Sequence, residues 1–491
     1  MKGNKLELSE SWSESKLKAL FPHSADVQIH SFRLEDDGCS EVILIYSEGL
    51  CDTTQIGRVV LPELKNLYRQ NGFSDLSGNN VYGTLPIHPL EAETSPIEIA
   101  EFVFQGDLLL LFPQTDALFR MCIGHRTERT PEESSTEISI KGPKDGFIED
   151  IMVNVALIRK RIRSNSLCYE TFILGRRTRT RVGLLYINDI ISPEVLNDVK
   201  KRLNKIDMDG VYSINQLEEM IVDSKYSMFP LLDYSGRPDK AVSSLLAGRF
   251  VIIVDGNPMI LIGPTNFWLL LKSPEDLYFS FQYISFARLI RIFSFCISIM
   301  LPGVWVALSA FHQDQIPFRL MATIASARIG LPFSGQAELL ILLVLLEIFR
   351  EAGLRLPNAI GQTLTVVGGL IIGDAAIRAG LVSPSVVVVG AISAVAGTTL
   401  VSQSIAATVS FLRFFMFMMA SFLGMYGLIL GIVLIIGYMS QLRSFGVPYM
   451  SPISPPHFKE MIGAIFRLPW SKYKERPETL NTVDSDRQGE D

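Results

Sequence analysis

Two hydrophobic patterns divide this chain of 491 residues. As far as about residue 285, short apolar runs alternate with polar helical stretches. From Ile292 to Leu442 apolar residues dominate, and only eleven of 151 positions are Asp, Glu, Lys or Arg. In the first part, residues 41–46 (EVILIY) read as a buried strand and residues 59–68 as a helix. Residues 182–186 (VGLLY) and 193–206 repeat that pair. Each pair is followed by a short helix (98–104, then 241–246), a glycine, an apolar strand, a turn and a second strand. Tyr46 to Gly106 is 60 residues and Tyr186 to Gly248 is 62. The shared order and spacing predict two tandem α/β subdomains, a duplication, over 1–125 and 126–285, with the polar stretch 126–139 as connector.

The second pattern predicts an all-α, polytopic membrane domain over 286–445, because a spanning helix needs about 20 apolar residues. Charge-free runs cover 292–311, 356–373, 379–412 and 414–442. Residues 336–354 are apolar at their centre but carry Glu338, Glu347, Arg350 and Glu351. Residues 318–333 are too short and too charged to cross, and read as re-entrant or interfacial. Arg288 and Arg291 precede the first run, and six basic residues between Arg443 and Arg476 follow the last, so both ends are expected on the cytoplasmic side. That parity favours about four spans plus a partial one over five crossings. A tail follows from 446 to 491, its acidic end beyond Pro477 expected to be disordered.

Charge and cysteine content narrow the function. A net charge of −6 speaks against a nucleic-acid binder. Five cysteines without C-x-x-C spacing indicate neither a disulfide framework nor a metal site, and no apolar leader opens the chain. No glycine-rich nucleotide loop occurs, so no cofactor and no enzymatic activity are expected. Asp107 and Asp255 read as turn formers that bond their own backbone, and the arginines from Arg176 to Arg181 as a solvated hairpin face or subunit contact.

The apolar half holds the candidate functional residues. Gly361, Thr365, Gly369 and Gly373 recur at i+4 and form a small-residue stripe that lets another helix approach closely. Beside it Gln362, Thr363, Val366, Val367 and Leu370 are the candidate pore-lining face, with an apolar ring that closes by dewetting. The alternative is an ordinary helix contact. Glu338, Glu347, Arg350, Glu351 and Asp374 are ionisable groups at or near membrane depth, functional candidates unless paired at a helix end.

Several strings are specific. They include GPKDGFIED at 142–150 with Asn154 and ALIR at 156–159, RPDK at 237–240, Gly248-Arg249 and VDGNP at 254–258. In the apolar half they include FHQ at 311–313, REAGLRLP at 350–357, Gly361-Gln362-Thr363, Gly368-Gly369 and SFG at 444–446. In these the chain resembles the A-subunit family of bacterial spore germinant receptors, the GerA-type spore germination proteins. The resemblance implies a multi-pass protein of the spore inner membrane with both termini on the core side. It implies a homo-oligomer, a pentamer, forming a cation channel, with a transporter-like B subunit and a lipoprotein C subunit as partners. Residues 331–336 (LPFSGQ) replace a proline-richer stretch, which leaves an accessory germination channel of the same family as an alternative. A secondary transporter and a membrane scaffold are the readings from other classes; the internal repeat lies outside the membrane half, which counts against the former.

Overall fold

The computed structural model describes residues 12–34, 41–71, 85–90, 94–115, 117–123, 137, 139–354 and 373–487. The chain divides into an α/β unit (Met1–Val222, Tyr234–Pro264, Lys474–Asp491) and a helical unit (Asp223–Asp233, Thr265–Tyr473).

The α/β unit contains the same supersecondary structure twice. Strands β1 (Val27–Arg33), β2 (Glu41–Ser47), β3 (Ile87–Leu90), β4 (Leu108–Phe112) and β5 (Ala117–Met121) form a sheet of order β1-β2-β4-β5-β3. Strands β6 (Leu167–Leu174), β7 (Thr180–Ile187), β8 (Asp233–Ser235), β9 (Phe250–Val254) and β10 (Ile260–Gly263) form another of order β6-β7-β9-β10-β8, the same permutation. The helices correspond as well. Glu14–Leu20 precedes β1 as Ile151–Arg159 precedes β6, and Pro96–Gln105 precedes β4 as Pro238–Leu245 precedes β9. Gly106 (φ 96°) and Gly248 (φ 92°) turn the chain from that last helix into the central strand, in a conformation that favours glycine. The edge strands escape the hydrophobic pattern. β1, half-buried at one end and exposed at the other, has no continuous apolar run.

Continuous apolar runs mark strands covered on both faces. In the first copy Val42, Leu44, Leu108 and Leu110 pack with Val60 and Leu64 on one side. Ile43, Ile45, Leu109 and Leu111 pack with Leu17, Ile99 and Val103 on the other. The alternation of side chains along a strand produces this division. In the second copy Leu185, Val251 and Ile253 meet Val155, Ile158 and Leu245 from the two corresponding helices.

The copies are joined by a buried arginine. Arg159, at the end of the Ile151–Arg159 helix, donates to both oxygens of Asp26 (3.0 and 3.1 Å) and to the Leu167 carbonyl (2.7 Å), with neither ion-paired side chain exposed. Its guanidinium also lies 4.0 Å from the centre of the Phe104 ring. Main-chain bonds beside it, Tyr169 N to His23 O (2.8 Å) and Ala25 N to Tyr169 O (3.0 Å), attach the edge strand β6 to the first copy.

Residues 474–487 depart from the expected disorder. Val483 N donates to Ile190 O (3.0 Å), Arg476 Nε donates to Leu246 O (3.1 Å), and Leu480 is buried. Arg476 also pairs with Asp484 (2.8 Å), so the acidic segment carries its own counter-charge and an apolar anchor, neither of which average composition reveals.

Among the described residues of the helical unit two stretches are long and apolar enough to cross a membrane, Phe281–Phe311 and Ser404–Gln441. Gly335–Leu354 carries four charged residues, and Pro384–Thr398 is shorter. The second stretch is two helices. Gly424 breaks it with φ 61° and ψ −138°, values that only glycine adopts readily. A Cβ on Gly431 would lie 2.6 Å from Met416 Sδ. Thr408 Oγ1 donates to Met228 O (2.7 Å) while Met228 N donates to Tyr438 Oη (3.1 Å). Thr408 and Tyr438 would be about 45 Å apart on one straight helix at about 1.5 Å per residue. Residues 403–423 and 425–441 therefore form an antiparallel hairpin. The sequence placed the interruption at Arg413, whose charge ends an apolar run. The chain breaks instead at Thr399–Ser402 and at Gly424, and Arg413 lies within the first arm.

Candidate functional site: polar groups inside the helical unit

A guanidinium among apolar helices must find acceptors or pay a large desolvation cost. Arg413, 5% exposed, finds them on two other helices. Its Nε donates to Ser298 O (3.0 Å), and its Nη2 donates to Ser298 Oγ (2.8 Å) and Ser393 O (3.4 Å). Ser298 Oγ donates to Ser393 O, and Ser393 Oγ to Ser298 O, both at 2.9 Å. The Phe281–Val306 and Pro384–Thr398 helices and the first hairpin arm thus meet at one polar level. Close approach there is made possible by glycine. A Cβ on Gly397 would sit 3.0 Å from Arg413 Nη2, and one on Gly390 would sit 2.6 Å from Leu342 Cδ2. Among the described residues no carboxylate pairs with Arg413.

A second polar group lies at the hairpin-tip end of this unit. Glu338 is fully buried, and its Oε2 accepts from Ser383 N (2.9 Å), the N-cap of the Pro384–Thr398 helix. Its Oε1 lies 3.5 Å from Arg328 Nε without a hydrogen bond. The carboxylate therefore sits at the N-terminal ends of two helices, where their dipoles favour negative charge. Gln336 Nε2 donates to Ser421 O (3.2 Å), one of the carbonyls near the Gly424 break. Phe311 packs against Gly424 itself, where a Cβ would lie 3.0 Å from the ring.

The opposite end is gathered around Asp276, which is 3% exposed. Arg288 reaches it at 3.1 Å and Arg291 at 2.9 Å. Arg467 donates to the carbonyls of Asp276, Phe279 (2.5 Å) and Leu277 (3.3 Å). Ser444 Oγ donates to Leu231 O (2.7 Å) and accepts from Thr265 N (3.0 Å), and Phe267 N donates to Tyr449 O (2.9 Å). The segment entering the Phe281–Phe311 stretch and the segment leaving the hairpin are thereby tied together at one end of the unit.

Of the residues singled out by sequence, Gly361, Gln362, Thr363, Thr365, Val366, Val367, Gly369 and Leu370 lie outside the described residues. Gly373 is helical, and a Cβ there would touch Val387 at 3.4 Å. Glu347 and Arg350 are paired within one turn (2.9 Å), as are the exposed Asp374 and Arg378 (2.8 Å); Glu351 is exposed. The Glu347–Arg350 pair is of the helix-end kind given above as the alternative, whereas Glu338 and Arg413 are buried. Arg413 was missed although it is the only Asp, Glu, Lys or Arg between Arg378 and Arg443, and that isolation was the available signal. Among the described residues no His, Cys, Asp and Glu cluster suits a metal ion.

In the α/β unit several residues of the quoted strings make internal contacts. Asp239 of RPDK pairs with Arg237 (2.6 Å), and Lys240 lies 3.4 Å from Glu137. Asp145 pairs with Arg161 (2.6 Å), and Asn154 accepts from Ile148 N (2.8 Å). Asp107 is not a turn former bonded to its own backbone. It is buried and pairs with Arg120 across the β4–β5 hairpin (2.6 Å), while Asp255 accepts from Ile151 N (3.3 Å). Arg176 pairs with Asp207 on an exposed hairpin end (2.5 Å). Cys51 is a free thiol pushed up to about 12, first by burial and then by Asp52 and Asp107. Burial alone would raise Glu170, but hydrogen bonds from Lys200 (2.7 Å) and Tyr186 (2.6 Å) hold it below the usual carboxylate range.

The chain has relatives among known proteins. Residues 15–479 match the family model of the Bacillus/Clostridium GerA spore germination protein. The chain is 43% identical over 480 residues to spore germination protein XA of Bacillus anthracis, covering 97% of each. It is 36% identical over 475 residues to spore germination protein KA of Bacillus subtilis, covering 95% of this chain and 86% of the relative. A crystal structure of the N-terminal domain of the A subunit of the Bacillus megaterium spore germinant receptor GerK3 aligns with 26% identity and a TM-score of 0.38. It covers 52% of this chain and 93% of that one.

Proposed function

The chain belongs to the GerA family of spore germination proteins, and from that premise we propose that it is the A-type subunit of a nutrient-germinant receptor, with a helical unit that forms a cation-conducting pore as a homo-oligomer in the spore membrane. The transporter-like B subunit and the lipoprotein C subunit are its partners in this reading, and the chain itself is not an enzyme. The observation that carries the reading is the polarity of the helical unit. Phe293, Phe422 and Val433 are exposed, whereas Arg413, Ser298, Ser393 and Glu338 are buried. In water that arrangement is unfavourable; in hydrocarbon it is the expected one, since intramembrane ionisable groups face the bundle interior.

Both termini lie on the same side of the membrane in this proposal. Support comes from the Asp276 end of the unit, where the segments entering and leaving the helices are bonded to each other. Full-length protein reconstituted into planar bilayers is expected to conduct monovalent cations as an oligomer. A correctly inserted, oligomeric preparation that never conducts at any voltage, with or without the B and C subunits, would sink the pore reading and leave a scaffold role.

A further inference from the structure

The segment after the hairpin carries an exposed apolar surface. In the Phe458–Ile465 helix, Phe458 is 77% and Ile462 56% exposed, and four-residue steps lead on to Phe466 and Trp470, also exposed. Phe458 and Ile462 share one helix face. The segment is fixed in place. Arg467 N donates to Ser285 Oγ (3.1 Å), Ser285 Oγ contacts Arg467 O (3.1 Å), and Arg288 Nη1 reaches Gly463 O (3.5 Å). It therefore lies beside the first turns of the Phe281–Val306 helix, whose own Tyr283, Phe286 and Ile290 are exposed. The two segments are bonded to each other at the level of the arginines around Asp276. Between residues 443 and 474 the sequence has five basic residues and one acidic.

We propose that this segment is an interfacial collar, which lies flat at the boundary of headgroups and acyl chains at the root of the first span and binds anionic phospholipid. The inference rests on the membrane reading above. Three features select a lipid surface over a protein partner. The segment is bonded to a helix whose own first turns carry exposed apolar side chains. Aromatic side chains with a polar edge, Trp470 and Tyr473 with ring centres 5.8 Å apart, stand where the chain turns away from the helix, as interfacial aromatics do. Basic residues outnumber acidic ones, as in amphipathic helices drawn to anionic leaflets. Lys472, exposed beside Trp470, supplies a cation for a headgroup phosphate. Arg467 stays committed to main-chain carbonyls and acts as the clamp.

The test uses the full-length chain in proteoliposomes that contain lipids brominated at shallow or deep acyl positions. The Trp470 signal is the emission of the native chain minus that of Trp470→Phe. A Phe422→Trp variant, at a 73% exposed hairpin position, reports independently on the membrane reading. Trp470 emission is expected to be lost to shallow bromines more than to deep ones. The loss should grow as phosphatidylglycerol replaces zwitterionic lipid, and Lys472→Gln should weaken that growth. If the Phe422→Trp emission is quenched but Trp470 is not, water or a second copy covers the segment and the collar is overturned while the membrane reading stands. If neither is quenched, both fall. Quenching of Trp470 that ignores lipid charge and Lys472 overturns the anionic-lipid assignment.

Discussion

The α/β unit and the helical unit place charge and apolar surface in opposite ways. In the first, β2, β4, β7 and β9 are enclosed on both faces, and the exposed apolar residues are scattered singly. Its deepest charge, Arg159, is neutralised by Asp26. In the second, large apolar side chains cover the outside, and the buried polar groups bond to one another across helices. Arg413 there is met by carbonyl and hydroxyl oxygens without a paired carboxylate among the described residues. The contrast teaches that a buried guanidinium has two solutions. Between sheets, a carboxylate at hydrogen-bond distance cancels the charge. Between helices, main-chain carbonyls solvate it, and the charge remains as a local field.

The largest expected effect breaks the first solution. Arg159→Ala leaves Asp26 buried without its partner, and should cost about 3–5 kcal/mol, the range for breaking one side of a buried pair. Hydrogen exchange of the β2 and β7 amides in the full-length protein should show it, and unchanged protection would mean that the two copies are not held by this pair. The second solution is broken by Arg413→Ala, which removes bonds to Ser298 and Ser393. Charged hydrogen bonds contribute about 1.5–3 kcal/mol each. The loss in thermal stability of the detergent-solubilised chain should therefore be large. Arg413→Lys should recover only part of it, because an ammonium lacks the planar fork.

Gly390→Leu comes next. It forces a side chain into the space that Leu342 occupies, and overpacking of this kind costs about 1–3 kcal/mol. A midpoint equal to that of the native protein would show that the two helices separate easily. The smallest effect is Glu170. Its folded value lies below the unfolded one of about 4.3, so its contribution is present above that pH and is lost as pH falls through the lowered value. Lys200→Met should flatten the acid limb of the stability profile, and an unaltered limb would show that another carboxylate governs it. Cys51 offers a simple check on burial in the α/β unit. Its raised value keeps it a protonated thiol, so alkylation at pH 8 should leave it unmodified until the unit unfolds.

Much of this was readable in the chain. The duplication followed from order and spacing, because a strand buried on both faces needs a continuous apolar run and β2, β4, β7 and β9 all have one. The edge strands β1, β3, β6 and β8 were not readable, since half-covered strands with polar neighbours resemble loops. The docking of residues 474–487 was hidden for a similar reason. Leu480 and Val483 are too few to register against an acidic background.

The sequence by itself determined that the chain has an α/β part and an apolar helical part, because periodicity and run length report the solvent each segment meets. It also determined the family, through strings such as RPDK and REAGLRLP. Only the tertiary structure decided that residues 403–441 fold back at Gly424 and that Arg413 lies inside an arm. Run length measures hydrophobicity and is blind to a single φ angle. Only the tertiary structure, too, paired Arg159 with Asp26, 133 residues away, and set Ser298 against Ser393. Such partners carry no local signature, because what selects them is the cost of leaving a buried polar group unsatisfied, and that cost exists only once the helices have met.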